Sequence, residues 1–195
     1  MADAIAAVRG GESLNAALAR CPQDARPGTQ ALAFHALRWL GAAEVVRRKL
    51  AKKAPPPQVD ALLLGALALL WPPGEPPYAD HVLVDQAVSA ARKRAPMSAS
   101  FVNAVLRRFI RERETIVATA LVDPLARWNH PVWWLDRLRA DWPDDWQAIA
   151  DADNAHPPMT LRVNARRVTG TGRSRRTAWP DPASDGRPAA ASRAT

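Results

Sequence analysis

The residues of this chain best suited to chemistry are its clustered cations. Arg107, Arg108 and Arg111 follow one another closely in the stretch Phe101-Val102-Asn103-Ala104-Val105-Leu106-Arg107-Arg108-Phe109 and its continuation. At 100° per residue, Phe101, Val102, Val105, Leu106, Phe109 and Ile110 share one half of a helix, and the three arginines cluster on the other. Such a helix can enter a core on one side and meet an anion on the other. A second cluster, Arg47, Arg48, Lys49, Lys52 and Lys53, precedes Pro55-Pro56-Pro57. Arg92, Lys93 and Arg94 form a third, and Arg26 and Arg38 flank an apolar segment. Guanidinium and ammonium groups at this density suit phosphate oxygens, which supply most non-specific affinity for nucleic acid. A solvated face that serves only solubility has the same pattern. For Arg92, Lys93 and Arg94, complementing a helix dipole is an equal alternative.

The other reactive residue types point to no further site. Cys21 is the one cysteine, so no disulfide can form within the chain, which fits a reducing cytoplasm. It sits in a loop and reads as a half-buried residue of no special reactivity. His35, His81, His130 and His156 are scattered without ligand spacing, so no metal is expected. Asp144, Asp145, Asp151 and Asp153 read as helix starts and surface acids. Trp133, Trp134, Trp142 and Trp146 stand at helix-packing spacings, which favours packing over stacking on bases. Asn103 falls at the edge of its apolar stripe and is expected to bond backbone or a neighbouring helix end. Gly170-Thr171-Gly172-Arg173 lacks the further glycine and apolar helix of a cofactor loop.

A net charge of +8 over 195 residues favours polyanionic partners. The charge is uneven, however. Residues 165–195 carry seven arginines and two aspartates, leaving only +3 for the first 164 residues. The pI of about 10.9 therefore overstates how basic the folded part is. The longest apolar run, residues 61–71, is far too short to span a bilayer, and the start of the chain has no secretory pattern. The expectation is a soluble, cytoplasmic protein with no membrane partner.

Helices must position these cations. Residues 1–9 read as a short first helix, and Ser13 can cap a second. Pro22, Pro27 and Gly28 mark residues 21–28 as a loop. Residues 29–40 read as a buried helix that Gly41 breaks or bends before a basic continuation over 42–53. Residues 58–71, apolar nearly all round, read as a central helix. Residues 80–95 form the next, and Pro96 ends it. Ser98 or Ser100 caps the helix carrying Arg107, which is expected to run to about residue 121. Asp123-Pro124 marks a boundary, and two short tryptophan-rich helices come after it. Residues 159–164 alternate with period two, a strand pattern without partners. Residues 165–195 contain no Leu, Ile, Phe or Met and are expected to be disordered.

Two motifs together carry a family resemblance. His81-Val82-Leu83-Val84-Asp85-Gln86-Ala87-Val88 leading into Ala91-Arg92, paired with Phe101-Val102-Asn103-Ala104-Val105-Leu106-Arg107, resembles the NusB-like RNA-binding domain. That domain occurs alone in a transcription antitermination factor and at the N-terminus of the RsmB/Sun-type ribosomal RNA cytosine-5 methyltransferases. His130-Pro131-Val132-Trp133-Trp134-Leu135 and Asn154-Ala155-His156-Pro157-Pro158-Met159-Thr160-Leu161-Arg162-Val163-Asn164 look like the linker leading into the methyltransferase. The resemblance implies an all-α NusB-like bundle over residues 1–122 and a helical linker with one orphan strand over 123–164. It implies ribosomal RNA as partner, with Arg26, Arg38, Arg47, Arg48, Lys49, Lys52, Lys53, Arg107, Arg108 and Arg111 as RNA contacts. It stops near Val168, and the composition beyond is that of GC-rich coding sequence read out of frame. The expectation is a frameshifted or truncated chain lacking the catalytic domain, which in the full-length family uses S-adenosylmethionine and cysteine chemistry. The expected function is RNA targeting without turnover and without a cofactor in this chain. The alternatives are an antitermination factor acting with a ribosomal protein, or a non-functional fragment.

Overall fold

The core is built around one helix that has no polar face. Every residue of the stretch from Val59 to Leu70 is buried, including six leucines. Each fully buried leucine stabilises by about 1.5–3 kcal/mol relative to exposure, so this helix seeks apolar partners on all sides. The computed structural model describes residues 1–71 and 78–155, and there it is helical throughout, with no strand. In chain order the elements are α1 (Ala2–Arg9), α2 (Leu14–Ala19), α3 (Arg26–Arg38), α4 (Leu40–Leu50) and the central α5 (Pro57–Leu70). Then come α6 (Asp80–Arg94), a 3-10 turn (Pro96–Ser98), α7 (Ala99–Arg111), α8 (Arg113–Ala120), α9 (Pro124–Trp128), α10 (Val132–Asp141) and α11 (Trp146–Asn154). Helices α1, α3, α4, α6 and α7 surround α5. Phe109, Ile5, Leu63, Leu64, Leu67 and Leu106 are its largest fully buried side chains. The expected all-α bundle is present. The strand expected over 159–164 and the disorder expected over 165–195 lie outside the described residues.

Several local expectations are corrected. Helix α3 begins at Arg26, three residues earlier than expected, with Pro27 in its first turn, where the missing N–H costs nothing. It buries only Ala33 and Ala36, while Phe34 is half-exposed. The break after it lies at Trp39 (φ −106°, ψ 17°), and Gly41 sits inside α4. Helix α4 stops at Leu50, so Lys52 and Lys53 belong to the loop after it. The 3-10 turn keeps Ser98 near helical backbone angles, and its hydroxyl makes no capping bond. The long helix expected from Ser98 to about residue 121 is interrupted at Glu112 (φ −109°, ψ 19°), giving α7 and α8. The Ser13 cap is as expected: its Oγ accepts from Ala16 N–H at 3.2 Å.

Helix α9 ties the bundle to α10 and α11. Ala126 belongs to the main core, whereas Trp128 joins a second cluster with Leu135 and Ala150, flanked by Trp134, Leu138 and Trp146. Trp128 and Trp146 meet edge to face at 4.9 Å between centroids. Of the four tryptophans expected to pack, Trp134 and Trp146 do so. Trp133 and Trp142 are exposed.

The seat of α9 on α4 is set by two residues far apart in sequence. A Cβ on Gly41 would lie 2.7 Å from the Leu125 carbonyl oxygen, so only glycine admits this approach. Asn129 ends α9 in the left-handed region (φ 55°), and its Oδ1 accepts from the Ala42 N–H at 2.9 Å. That N–H is one of the first-turn donors of α4 that no residue of its own helix can satisfy. Asn129 thus caps a helix from 87 residues further along the chain.

Candidate nucleic-acid interface

The expected RNA contacts separate into cations held inside the fold and cations left at the surface. Arg47 is the clearest inward case. Its side chain is 13% exposed and its Nε lies 3.0 Å from Asp60 Oδ1, an ion pair whose N–H is not aligned on the oxygen. Arg9 approaches the same carboxylate from α1, Nη1 donating to Asp60 Oδ2 at 3.0 Å, and its Nε donates to Glu44 Oε1 at 3.3 Å. Asp60 is the one buried charged residue among the described residues, and the two guanidinium groups compensate it. Arg9 and Asp60 were not among the expected functional residues. A carboxylate opening an otherwise apolar run was the available signal.

Arg26 is also engaged. Its Nη2 donates to the carbonyls of Ala19 and Cys21, closing the loop between α2 and α3. Cys21 Sγ lies in the same loop, 3.6 Å from Thr29 Oγ1. Arg38 is half-buried at the end of α3, near His35. Burial holds the His35 imidazole below its ordinary value, and the Arg38 charge adds to the effect.

The surface cations form two groups. At the end of α4, Lys49, Lys52 and Lys53 are exposed and have no ion-pair partner among the described residues. Arg48 beside them reaches Asp123 at 3.4 Å. The second group lies on α7. Arg108 and Arg111 share Glu112, at 3.0 Å and 2.8 Å, and together hold its carboxyl below the usual range. Arg107 is exposed, and its Nε donates to Asn103 Oδ1 at 3.0 Å. Asn103 therefore bonds a side chain one turn on, where backbone or a neighbouring helix end was expected.

Arg92 and Lys93, at the end of α6, are exposed, whereas Arg94 pairs with Asp3 of α1 and depresses its carboxyl. Helices α6 and α7 run into one another through the 3-10 turn and leave between them an open groove of about 980 Å³. Arg92, Arg107 and Arg111 line it, together with Asn103 and His81. The structure thus brings Arg107 and Arg111 together with Arg92.

No group of three or more metal-ligating side chains occurs among the described residues. No helix among them is long and apolar enough to cross a membrane. His130 instead stacks on Trp134 at 4.3 Å, and Asn154 Nδ2 donates to the Trp128 carbonyl at 2.8 Å, ordering the second cluster.

Comparison with known proteins places these elements. Residues 2–111 match the NusB family, and residues 130–172 match a methyltransferase RsmF/B-like, ferredoxin-like domain. Relatives named ribosomal RNA small subunit methyltransferase B occur in Pseudomonas putida, 40% identical, and Pseudomonas syringae, 38% identical, each aligned over 85% of this chain. A probable enzyme of the same name in Coxiella burnetii is 37% identical over 46% of it. The chain spans 39%, 38% and 21% of the length of these three relatives, respectively.

Proposed function

The chain belongs to the NusB family, and from that premise we propose that it is the RNA-binding, targeting part of a small-subunit ribosomal RNA cytosine-5 methyltransferase. The observation that carries this reading is the presence of two family matches in one chain: the NusB family over residues 2–111, then a methyltransferase RsmF/B-like, ferredoxin-like domain over residues 130–172. The second match favours the methyltransferase context over a free antitermination factor working with a ribosomal protein. In this reading residues 1–122 are the RNA-binding domain and residues 123–164 lead toward the methyltransferase, with α9 as the clasp across the division. The protein would act in the cytoplasm, on ribosomal RNA.

Phosphate contacts fall to the surface cations. Lys49, Lys52 and Lys53, with Arg48, form one patch, and Arg107, Arg108 and Arg111 form the other. Arg38 flanks the bundle as an auxiliary contact. Arg26 and Arg47 act through the fold, because their guanidinium groups face carbonyls and a carboxylate. The methyl donor expected of this enzyme class is S-adenosylmethionine. Carbon-5 methylation also needs a thiolate nucleophile. Cys21 lies in a loop with its Sγ 3.6 Å from Thr29 Oγ1, and this reading gives the described residues targeting and not methyl transfer.

Binding of the chain to small-subunit ribosomal RNA across a salt series tests the proposal. The expected result is a linear fall of log affinity with log salt, together with discrimination against unrelated RNA. Equal affinity for both RNAs at every salt concentration would overturn it.

A further inference from the structure

We infer that Asn129, His130 and Asn154 are positioning residues that lock α10 and α11 onto the bundle, so that the targeting body extends to Ala155. This rests on the methyltransferase reading above and adds to it where that body ends and which side chains hold its end in place. The two family matches leave residues 112–129 between them, and the second begins at residue 130. A division there would assign α10 and α11 to the methyltransferase. Their contacts join them to the bundle instead. Helix α9 packs on α4, where Gly41 admits Leu125, and α11 packs on α9. Ala126 of α9 lies in the bundle core and Trp128 in the second cluster, so one short helix belongs to both.

The connection from α9 to α10 is Asn129-His130-Pro131, and each residue is fixed by a different means. Asn129 stands in the left-handed region, accepts from the Ala42 N–H, and donates from Nδ2 to the Ala126 carbonyl at 3.4 Å. His130 Nδ1 lies 2.5 Å from the Trp128 carbonyl oxygen, and because a carbonyl only accepts, the ring proton sits on Nδ1. The ring stacks on Trp134, and its Nε2 faces Asp153 Oδ2 at 3.7 Å. Pro131 holds φ at −64° through its own ring, just before α10. The Trp128 carbonyl is one of the last of α9, which no residue of its own helix can satisfy. It takes His130 on one lone pair and Asn154 Nδ2, from the last residue of α11, on the other at 2.8 Å. The entry to α10 and the end of α11 therefore converge on one oxygen of α9. The point at which the chain leaves α11 is set by the bundle. A fixed offset between bound RNA and the reacting group is what turns targeting into effective concentration, and a free linker would spread that offset over many positions.

The test uses the intact chain with Cys21→Ser and two spin-labelled cysteines, Gln30→Cys on α3 and Ala152→Cys on α11, both at exposed positions. Double electron–electron resonance reads the distribution of distances between the labels. This parent is compared with a His130→Ala/Asn154→Ala variant and with Asn129→Ala, and circular dichroism melts confirm that each folds. Affinity for small-subunit ribosomal RNA is measured on the same proteins. The expected result is one narrow distance for the parent and a distribution at least about twice as broad for each variant, because the hold on α11 opens locally. RNA affinity should stay within about twofold, since none of the three side chains belongs to the surface cation patches. A broad distribution in the parent would overturn the inference, because α11 would then move free of the bundle. Unchanged widths in both variants would also overturn it, because the hold would then lie elsewhere. The distances need no RNA, so they decide the inference by themselves. Narrow and broad widths as expected, with no RNA binding by the parent, would overturn the proposed function and leave the seat of α11 standing.

Discussion

Replacing Gly41 by alanine isolates the contact that seats α9 on the bundle. In a free helix the change would help, by about 1 kcal/mol, because glycine loses more backbone freedom. Here the new Cβ would stand 2.7 Å from Leu125 O, 3.0 Å from Leu125 Cδ1 and 3.2 Å from Asn129 Cα. Two of these atoms are backbone, so no rotamer change relieves the contact, and α9 must move as a unit. Overpacking of this kind costs about 1–3 kcal/mol. Movement also draws Asn129 away from the Ala42 N–H, and a lost N-terminal cap costs about 0.5–2 kcal/mol. Set against the propensity gain, the net effect is a loss of about 2 kcal/mol. For a chain of this size that lowers the melting midpoint by about 4–8 °C. Calorimetry or circular dichroism of Gly41→Ala measures it. Asn129→Ala should then cost less in the Gly41→Ala background than in the parent, because the two changes break one contact. A Gly41→Ala protein as stable as the parent, or additive losses in the pair, would refute the close-approach argument.

Three further outcomes are expected. Asp60→Ala should lower unfolding stability by about 3–5 kcal/mol in denaturant titration, since it strands Arg9 and Arg47 without their buried counter-charge; a loss below about 1 kcal/mol would argue against the network. Because burial depresses the His35 imidazole, the unfolded chain takes up that proton first as pH falls below about 6.5, and the parent should melt lower at about pH 5.5 than at pH 7.5. His35→Gln should flatten that decline, and an unchanged slope in the variant would remove His35 as its cause. Changing Lys49, Lys52 and Lys53 together to glutamine should reduce the salt slope of RNA binding by about 2–3, at about 0.7–0.9 per phosphate contact, with little change in melting; an unchanged slope would take these lysines out of the interface.

The helical class and the central helix were legible because they rest on local pattern. The run from Ala61 to Leu70 is apolar on every side, and any fold must bury it. The amphipathic face of α7 was equally plain, and Val102, Val105, Leu106 and Phe109 are buried as their spacing demands. The two motifs that carry the family resemblance lie on α6 and α7, and the chain belongs to that family. What local pattern could not supply was the fate of each cation. Arg47 and Lys49 stand two residues apart in one basic cluster. The first meets a buried carboxylate and the second meets solvent, because about 200° of helix rotation separates them and Asp60 lies on one side only.

Composition and periodicity alone therefore determined that this chain is a helical bundle around residues 59–70, with basic faces suited to a polyanion. Those signals depend only on each residue's own polarity and on the 3.6-residue repeat, and both are written along the chain. Tertiary structure alone decided that Asn129 caps α4 from 87 residues away, that Gly41 admits Leu125, and that Arg92 of α6 shares a groove with Arg107 and Arg111 of α7. Each of these joins groups on different helices through a few ångströms of space. A hydrogen bond or a steric limit acts only at that range, so it exists only once the core has packed and brought the helices together.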